Sequence, residues 1–210
     1  MRLNSGQGKM SREQNIVAVK KFNTEEVLDK AIHTFWQFGY HGTGMQQLLK
    51  ETNLRAGSLY REFENKDALY LLALRQYAQR SIDNIDTIIK DSTNVLSGIQ
   101  AIISALIEDS KNTDYCGCFL IKSQLELDSH NSDISAFISG EFAKIETNYA
   151  RHLADVFSKE LSLQYAKQLM MIIYGIRVSG YQKQNTEYVE KTVYQLLPWL
   201  GSTHDDNDNE

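Results

Sequence analysis

Residues 24–63 read TEEVLDKAIHTFWQFGYHGTGMQQLLKETNLRAGSLYREF, and this stretch decides the fold. Glu25 and Glu26 suit the positive end of a helix, with Thr24 or Asn23 as its cap, and Gly39 stops it. Val27, Leu28, Ala31, Ile32, Phe35 and Phe38 recur at helical spacing and form one apolar stripe. After Tyr40-His41-Gly42, Thr43 is placed to cap a second helix from Gly44 to Thr52. Its Met45, Leu48 and Leu49 face inward, while Gln46, Gln47, Lys50 and Glu51 face out. Asn53 tolerates the left-handed conformation that a sharp turn needs. A third helix is expected from about Arg55 to Phe63, burying Leu54, Leu59 and Phe63. Two short helices joined by a four-residue turn make a helix-turn-helix over about residues 44–63.

Such a unit suits DNA. An α-helix fits the major groove, and its first residues must be small, or long and polar, for backbone and side chains to reach the bases. Arg55-Ala56-Gly57-Ser58 is a long donor followed by three small residues. Tyr60, Arg61 and Lys66 add donors for flanking phosphates. The bland alternative is a three-helix packing unit whose polar residues are merely solvated.

The rest of the chain continues the helical pattern. It has 210 residues with 42% apolar and 23% charged, which fits a globular chain and not a disordered one. One proline, Pro198, and twelve glycines are too few for the tight turns of a sandwich, barrel or propeller. Asn65 caps a long helix from Lys66 to about Lys90, and a second follows from Val95 to Lys111. Helices are then expected over Cys116–Asp128, Asp133–Lys159, Leu163–Gln182 (capped by Ser162) and Glu187–Leu200 (capped by Thr186). The expected organisation is an extension at 1–22 and a DNA-binding domain at 23–64. A ligand-binding and dimerisation domain of about six helices follows at 65–200, with an acidic tail at 201–210. The fold class is all-α. Residues 1–80 carry 12 Lys and Arg against 8 Asp and Glu, and the remaining 130 carry 10 against 19. A basic head on an acidic body hints at a polyanion partner for one end only.

No apolar run approaches the 18 residues needed to cross a bilayer, the longest being Leu169–Ile176, so no membrane partner is expected. With no apolar leader and only two cysteines, a cytoplasmic protein is expected. Motifs for enzymes and cofactors are absent: no G-x-S-x-G, no H-E-x-x-H and no phosphate loop. No metal site is expected, because Cys116, Cys118 and His130 have no second paired ligand motif.

The residues Phe38-Gly39-Tyr40-His41-Gly42-Thr43, Leu54-Arg55-Ala56-Gly57-Ser58-Leu59-Tyr60-Arg61-Glu62-Phe63 and Asn65-Lys66-Asp67-Ala68-Leu69 resemble the TetR family of bacterial transcriptional regulators. Members show G-Y-x-x-T-S, then S-K-G-T-L-Y-x-H-F and S-K-E-x-L. The likeness covers roughly residues 24–70. It implies that Thr43, Lys66 and Tyr60 touch the DNA backbone, that Gln46 contacts DNA from the second helix, and that Arg55, Ala56, Gly57 and Ser58 open the recognition helix. This chain departs by having Arg55 and Ala56 for serine and lysine, Gly44 for serine and Glu62 for histidine. A carboxylate at Glu62 either reads a cytosine amine or faces away.

The resemblance further implies a homodimer built on the last two helices, about residues 163–200, and a repressor that leaves a palindromic double-stranded operator when a small-molecule inducer binds the body. Tyr70, Tyr77, Phe119, Phe142 and Tyr174 are candidate aromatic walls for that ligand. Cys116, beside a polar loop, is a candidate redox or electrophile sensor, while Cys118 reads as packing. The competing function is an all-α small-molecule- or metal-binding protein whose helix-turn-helix is only structural.

Overall fold

The computed structural model describes residues 22–127, 132–182 and 186–201, and it contains helices and turns but no strand among them. The first helix, α1 (Thr24–Gly42), is capped by Asn23, whose side chain accepts from Glu25 N–H at 2.9 Å. Gly39 interrupts it at φ 76° and ψ 176°, and a last turn runs on to Gly42. Helix α2 (Met45–Thr52) ends at Asn53, which takes the left-handed conformation at φ 56° and ψ 30°. Helix α3 (Ala56–Phe63) starts after Arg55 and buries Leu59 and Phe63. Phe35, Leu48 and Leu59 close the small core of this three-helix head.

The body hangs on α4 (Lys66–Asp91), which Asn65 caps by accepting from Ala68 N–H at 2.8 Å. Asn94 and Ser97 form a reciprocal capping box at the start of α5 (Val95–Asp109). Then come α6 (Phe119–Leu127), α7 (Ser132–Leu153), α8 (Lys159–Ser179), a 3-10 turn at Gly180–Gln182, α9 (Thr186–Leu196) and α10 (Pro198–Gly201). Helix α4 packs on α1, α5 and α7; α7 packs on α8; and α6 wedges between α1, α4 and α7.

Four boundaries in the body differ from expectation. Helix α6 begins at Phe119, not Cys116, because the chain at Gly117 turns through φ 71°. The cysteines therefore precede the helix. Helix α7 stops at Leu153, and α8 is capped by Ser158, whose Oγ accepts from Leu161 N–H at 3.4 Å. Ser162 lies inside α8, buried, with its hydroxyl donating to Ser158 O at 2.8 Å. The expected last helix is divided at Pro198, which cannot donate into a continuing ladder. The expectations for residues 1–21, 128–131 and 202–210, including His130, lie outside the described residues, as does the side chain of Thr186. No helix among the described residues is long and apolar enough to cross a membrane.

Candidate nucleic-acid interface

The start of α3 presents Arg55, Ala56 and Gly57 exposed and Ser58 half-buried, with Tyr60 and Arg61 exposed one turn on. Neither α2 nor α3 has a side-chain cap, and although Ser58 N–H already donates to Arg55 O at 2.9 Å, the Ala56 and Gly57 amides at the start of α3 have no side-chain acceptor. Gln46 is exposed on α2. A cleft of about 740 Å³ runs between α1 and α3, lined by Asn23, Lys30, Arg55, Ser58 and Arg61 among others. These donors share one side of the head.

Two residues behave otherwise than the sequence suggests. Thr43 is fully buried and does not cap α2; Gly44 holds the cap position. The Thr43 hydroxyl donates to Gly39 O at 2.6 Å, and its N–H to Tyr40 O at 3.3 Å, so it closes the end of α1. It offers no side-chain donor to a phosphate. Glu62 is half-buried and turns toward the start of α1, accepting from Thr24 Oγ1 at 3.5 Å.

Lys66 sits at the first turn of α4 with its ammonium 4.1 Å from the centre of the Tyr40 ring. Burial lowers its pKa, against the pull of Asp67 and Glu126. The Tyr40 hydroxyl donates to Asp67, and its pKa is pushed up to about 12, mainly by burial and then by that carboxylate. The cation is thus held at the junction of head and body, where α1, α4 and α6 meet.

That junction contains a residue the sequence reading missed. Glu126, on α6, accepts from Tyr40 N–H at 2.9 Å and from His41 N–H at 2.7 Å. Its carboxylate caps the turn that Gly39 opens, and a Cβ on Gly39 would stand 2.7 Å from it. Lys122, one turn earlier, donates to Trp36 O at 2.5 Å, and the Trp36 indole donates to Cys116 O at 3.2 Å. The body therefore grips the end of α1 through side chain to backbone bonds spanning 80 to 86 residues. No local pattern signals contacts so distant.

Aromatic rings continue the joint. Phe35, Tyr40 and Phe119 all meet Tyr70 edge-on, at 4.8, 4.9 and 5.7 Å between centroids, and Tyr77 meets both Phe119 and Trp36. Tyr70 is fully buried and its hydroxyl donates to Ser123 Oγ at 2.6 Å. Of the five aromatic candidates for ligand contact, Tyr70, Tyr77 and Phe119 are thus packed into this joint. Phe142 and Tyr174 instead line an open cavity of about 430 Å³ between α6, α7 and α8, with Leu125 exposed in its wall. Cys116 is half-buried beside a groove of about 770 Å³ between α1 and the loop before α6, with its thiol donating to Asp114 O at 3.3 Å. Neither nearby lysine serves it: Lys111 pairs with Glu108 and Lys122 with Trp36 O. Arg177 lies close enough to Cys118 to feel its charge, and the Cys118 thiol accepts from the Tyr77 hydroxyl at 3.7 Å. Among the described residues, no group of three or more His, Cys, Asp or Glu is arranged to hold a metal.

On α8 and α9 a different face emerges. Leu163, Met171, Val178, Tyr188 and Leu196 are exposed, Met171 at 71% and Leu196 at 59%. Ala166, Leu169, Met170 and Ile176 point into the body's own core.

Comparison with known proteins agrees with this architecture. Residues 27–81 match the family model described as bacterial regulatory proteins, tetR family. The HTH-type transcriptional repressor ComR of Escherichia coli K12 is 30% identical over 193 residues, spanning 86% of this chain and 91% of ComR. The structure of SCO4454, a TetR-family transcriptional regulator from Streptomyces coelicolor, superposes with a TM-score of 0.71 at 18% identity, covering 84% of this chain and 93% of that one. A cysteine mutant of the TetR-family regulator CifR, complexed with 26-base-pair operator DNA, superposes with a TM-score of 0.70 at 18% identity over 85% and 97% of the two chains. With its three-helix head, all-helical body and a near full-length relative at this identity, the chain belongs to the tetR family of bacterial regulatory proteins.

Proposed function

We propose that this protein is a dimeric transcriptional repressor that holds a palindromic operator through α3 and releases it when a small molecule enters the body. The observation that carries this reading is the exposed α3 start, where Arg55 and three small or polar residues stand beside two uncapped helix N-termini. Such a surface offers a long donor for a guanine edge and free amides for phosphates. Gln46, Tyr60, Arg61 and Lys66 supply the flanking contacts. Residues 23–64 form the DNA-binding head and residues 65–200 the regulatory body.

The exposed apolar stripe of α8 and α9 supports self-association through about residues 163–200. Two-fold pairing would present two copies of α3 to half-sites about 34–36 Å apart. The link between body and head is α6: one of its faces lines the cavity while Glu126 and Lys122 hold the end of α1. Ligand that shifts α6 would bias the spacing of the two heads, through its different affinity for the two arrangements.

The test is a binding titration on DNA flanking the protein's own gene, at several salt concentrations. Arg55→Ala is expected to weaken binding by about 1–3 kcal/mol and relax base preference, and Lys66→Ala to weaken all sequences alike and flatten the salt slope. If neither variant changes binding, the docking face is wrongly assigned.

A further inference from the structure

The cavity between α6, α7 and α8 is unusual in its balance of charge. Ile121, Leu125, Phe142 and Tyr174 supply most of its wall, with the Phe142 and Tyr174 rings edge-on at 5.2 Å. Gln124 adds an amide, and Glu146 is the one charged residue in the lining. No described cation pairs with Glu146. The neighbouring Lys144 is taken by Glu141 at 2.7 Å, and Arg177 by Asp109 at 2.5 Å.

We propose that this cavity binds an organic cation with a flat or bulky apolar body, Glu146 providing the counter-charge and the Phe142 and Tyr174 rings the walls. The proposal rests on the reading of the body as a ligand sensor and names the chemical class of the ligand. An anion placed here would face an uncompensated carboxylate. A neutral apolar molecule would leave that carboxylate without a counter-charge. A cation gains both the carboxylate and the negative faces of two aromatic rings. The Tyr174 phenol already feels the arrangement: its pKa is pushed up to about 12, by burial first and then by the Glu146 charge. A volume of about 430 Å³ falls within the range of small-molecule pockets.

The experiment uses the full chain and two probes of matched shape and opposite charge, tetraphenylphosphonium and tetraphenylborate, in calorimetric titrations. The wild type is expected to bind the phosphonium at least about tenfold more tightly than the borate. Glu146→Gln should remove most of that preference, and Glu146→Lys should reverse it, with helix content and dimer mass unchanged. Equal binding of both probes by the wild type overturns the proposal, as does a preference that survives Glu146→Lys. If Glu146→Gln instead lowers dimer mass, the carboxylate serves a second copy of this chain and the proposal is likewise overturned. A parallel measurement of operator release separates the two readings. Phosphonium that binds through Glu146 yet leaves the DNA complex intact upholds the cation site and refutes the sensor function.

Discussion

Replacing Gly39 by alanine tests the head–body junction most directly. At φ 76° and ψ 176° this residue lies in a region that is essentially glycine-only, so any side chain incurs about 1–3 kcal/mol of backbone strain. The added Cβ would also stand 2.7 Å and 3.0 Å from the two Glu126 carboxylate oxygens, so the carboxylate must retreat. Its bonds to the Tyr40 and His41 amides then lengthen or break. Hydrogen bonds to a charged group are worth about 1.5–3 kcal/mol each when buried, and about 1 kcal/mol in total is a fair discount for this half-exposed site. Gly39→Ala should therefore cost about 2–4 kcal/mol, a large share of a typical stability of about 5–15 kcal/mol. Urea unfolding followed by circular dichroism measures the loss, and a double-mutant cycle with Glu126→Ala divides it. In the Glu126→Ala background the clash is gone, so Gly39→Ala should cost only the backbone strain of about 1–3 kcal/mol. A Gly39→Ala protein within about 0.5 kcal/mol of wild type, the usual scale of a neutral surface change, would refute the reasoning.

Three further outcomes follow from geometry elsewhere. Asp86 on α4 accepts from Asn148, Arg151 and His152 on α7. Burial alone would raise its pKa, but the His152 and Asn148 hydrogen bonds and the Arg151 charge outweigh that and hold it below the usual carboxylate range. A depressed carboxylate contributes stability above its unfolded pKa of about 3.9 and loses it as pH falls through the folded value. Asp86→Asn should thus cost about 1 kcal/mol at pH 7, discounted because the side chain is 43% exposed, and the gap to wild type should close below about pH 4 in urea titrations. Met171→Glu and Leu196→Glu, on the outward stripe of α8 and α9, should lower dimer mass in sedimentation and abolish operator binding together; a variant that stays dimeric moves the interface elsewhere. Cys116, beside an open groove, should label with a small maleimide faster than Cys118 in the native protein, and the reverse order would transfer any sensing role to the thiol near Arg177.

Much of the head was legible because its signals are local. Asn53 marks a left-handed turn, Asn65 caps α4, and the spacing of Phe35, Leu48 and Leu59 fixes which faces meet. The misread boundaries have distant causes. Gly117 turns where the Trp36 indole and the Tyr181 hydroxyl converge on the Cys116 carbonyl, from 80 and 65 residues away. Ser158 and Ser162 lie one helical turn apart, and an apolar stripe runs past both, so choosing the cap between them depends on how α7 and α8 fold back on each other. Side-chain type also fails to separate Tyr70 from Tyr174. One is sealed by Ser123 and three rings, the other borders a cavity, and only packing distinguishes them. Glu126 gave no sign at all, since a carboxylate in an amphipathic helix reads as solvated until its acceptor role is seen.

Helix α6 has nine residues, about 13 Å of rise. Fewer than three turns leave no length over which to bend, and the positions facing the cavity (121, 124 and 125) interleave with those gripping α1 (122 and 126). A push on the cavity face would therefore act on the same short stretch of helix that holds α1. The grip it works against is also steep in distance. From 2.9 Å at Tyr40 N–H, a shift of about 0.6 Å already exceeds the span of a useful hydrogen bond. A sub-ångström displacement of α6 would then be enough to loosen its hold on the end of α1.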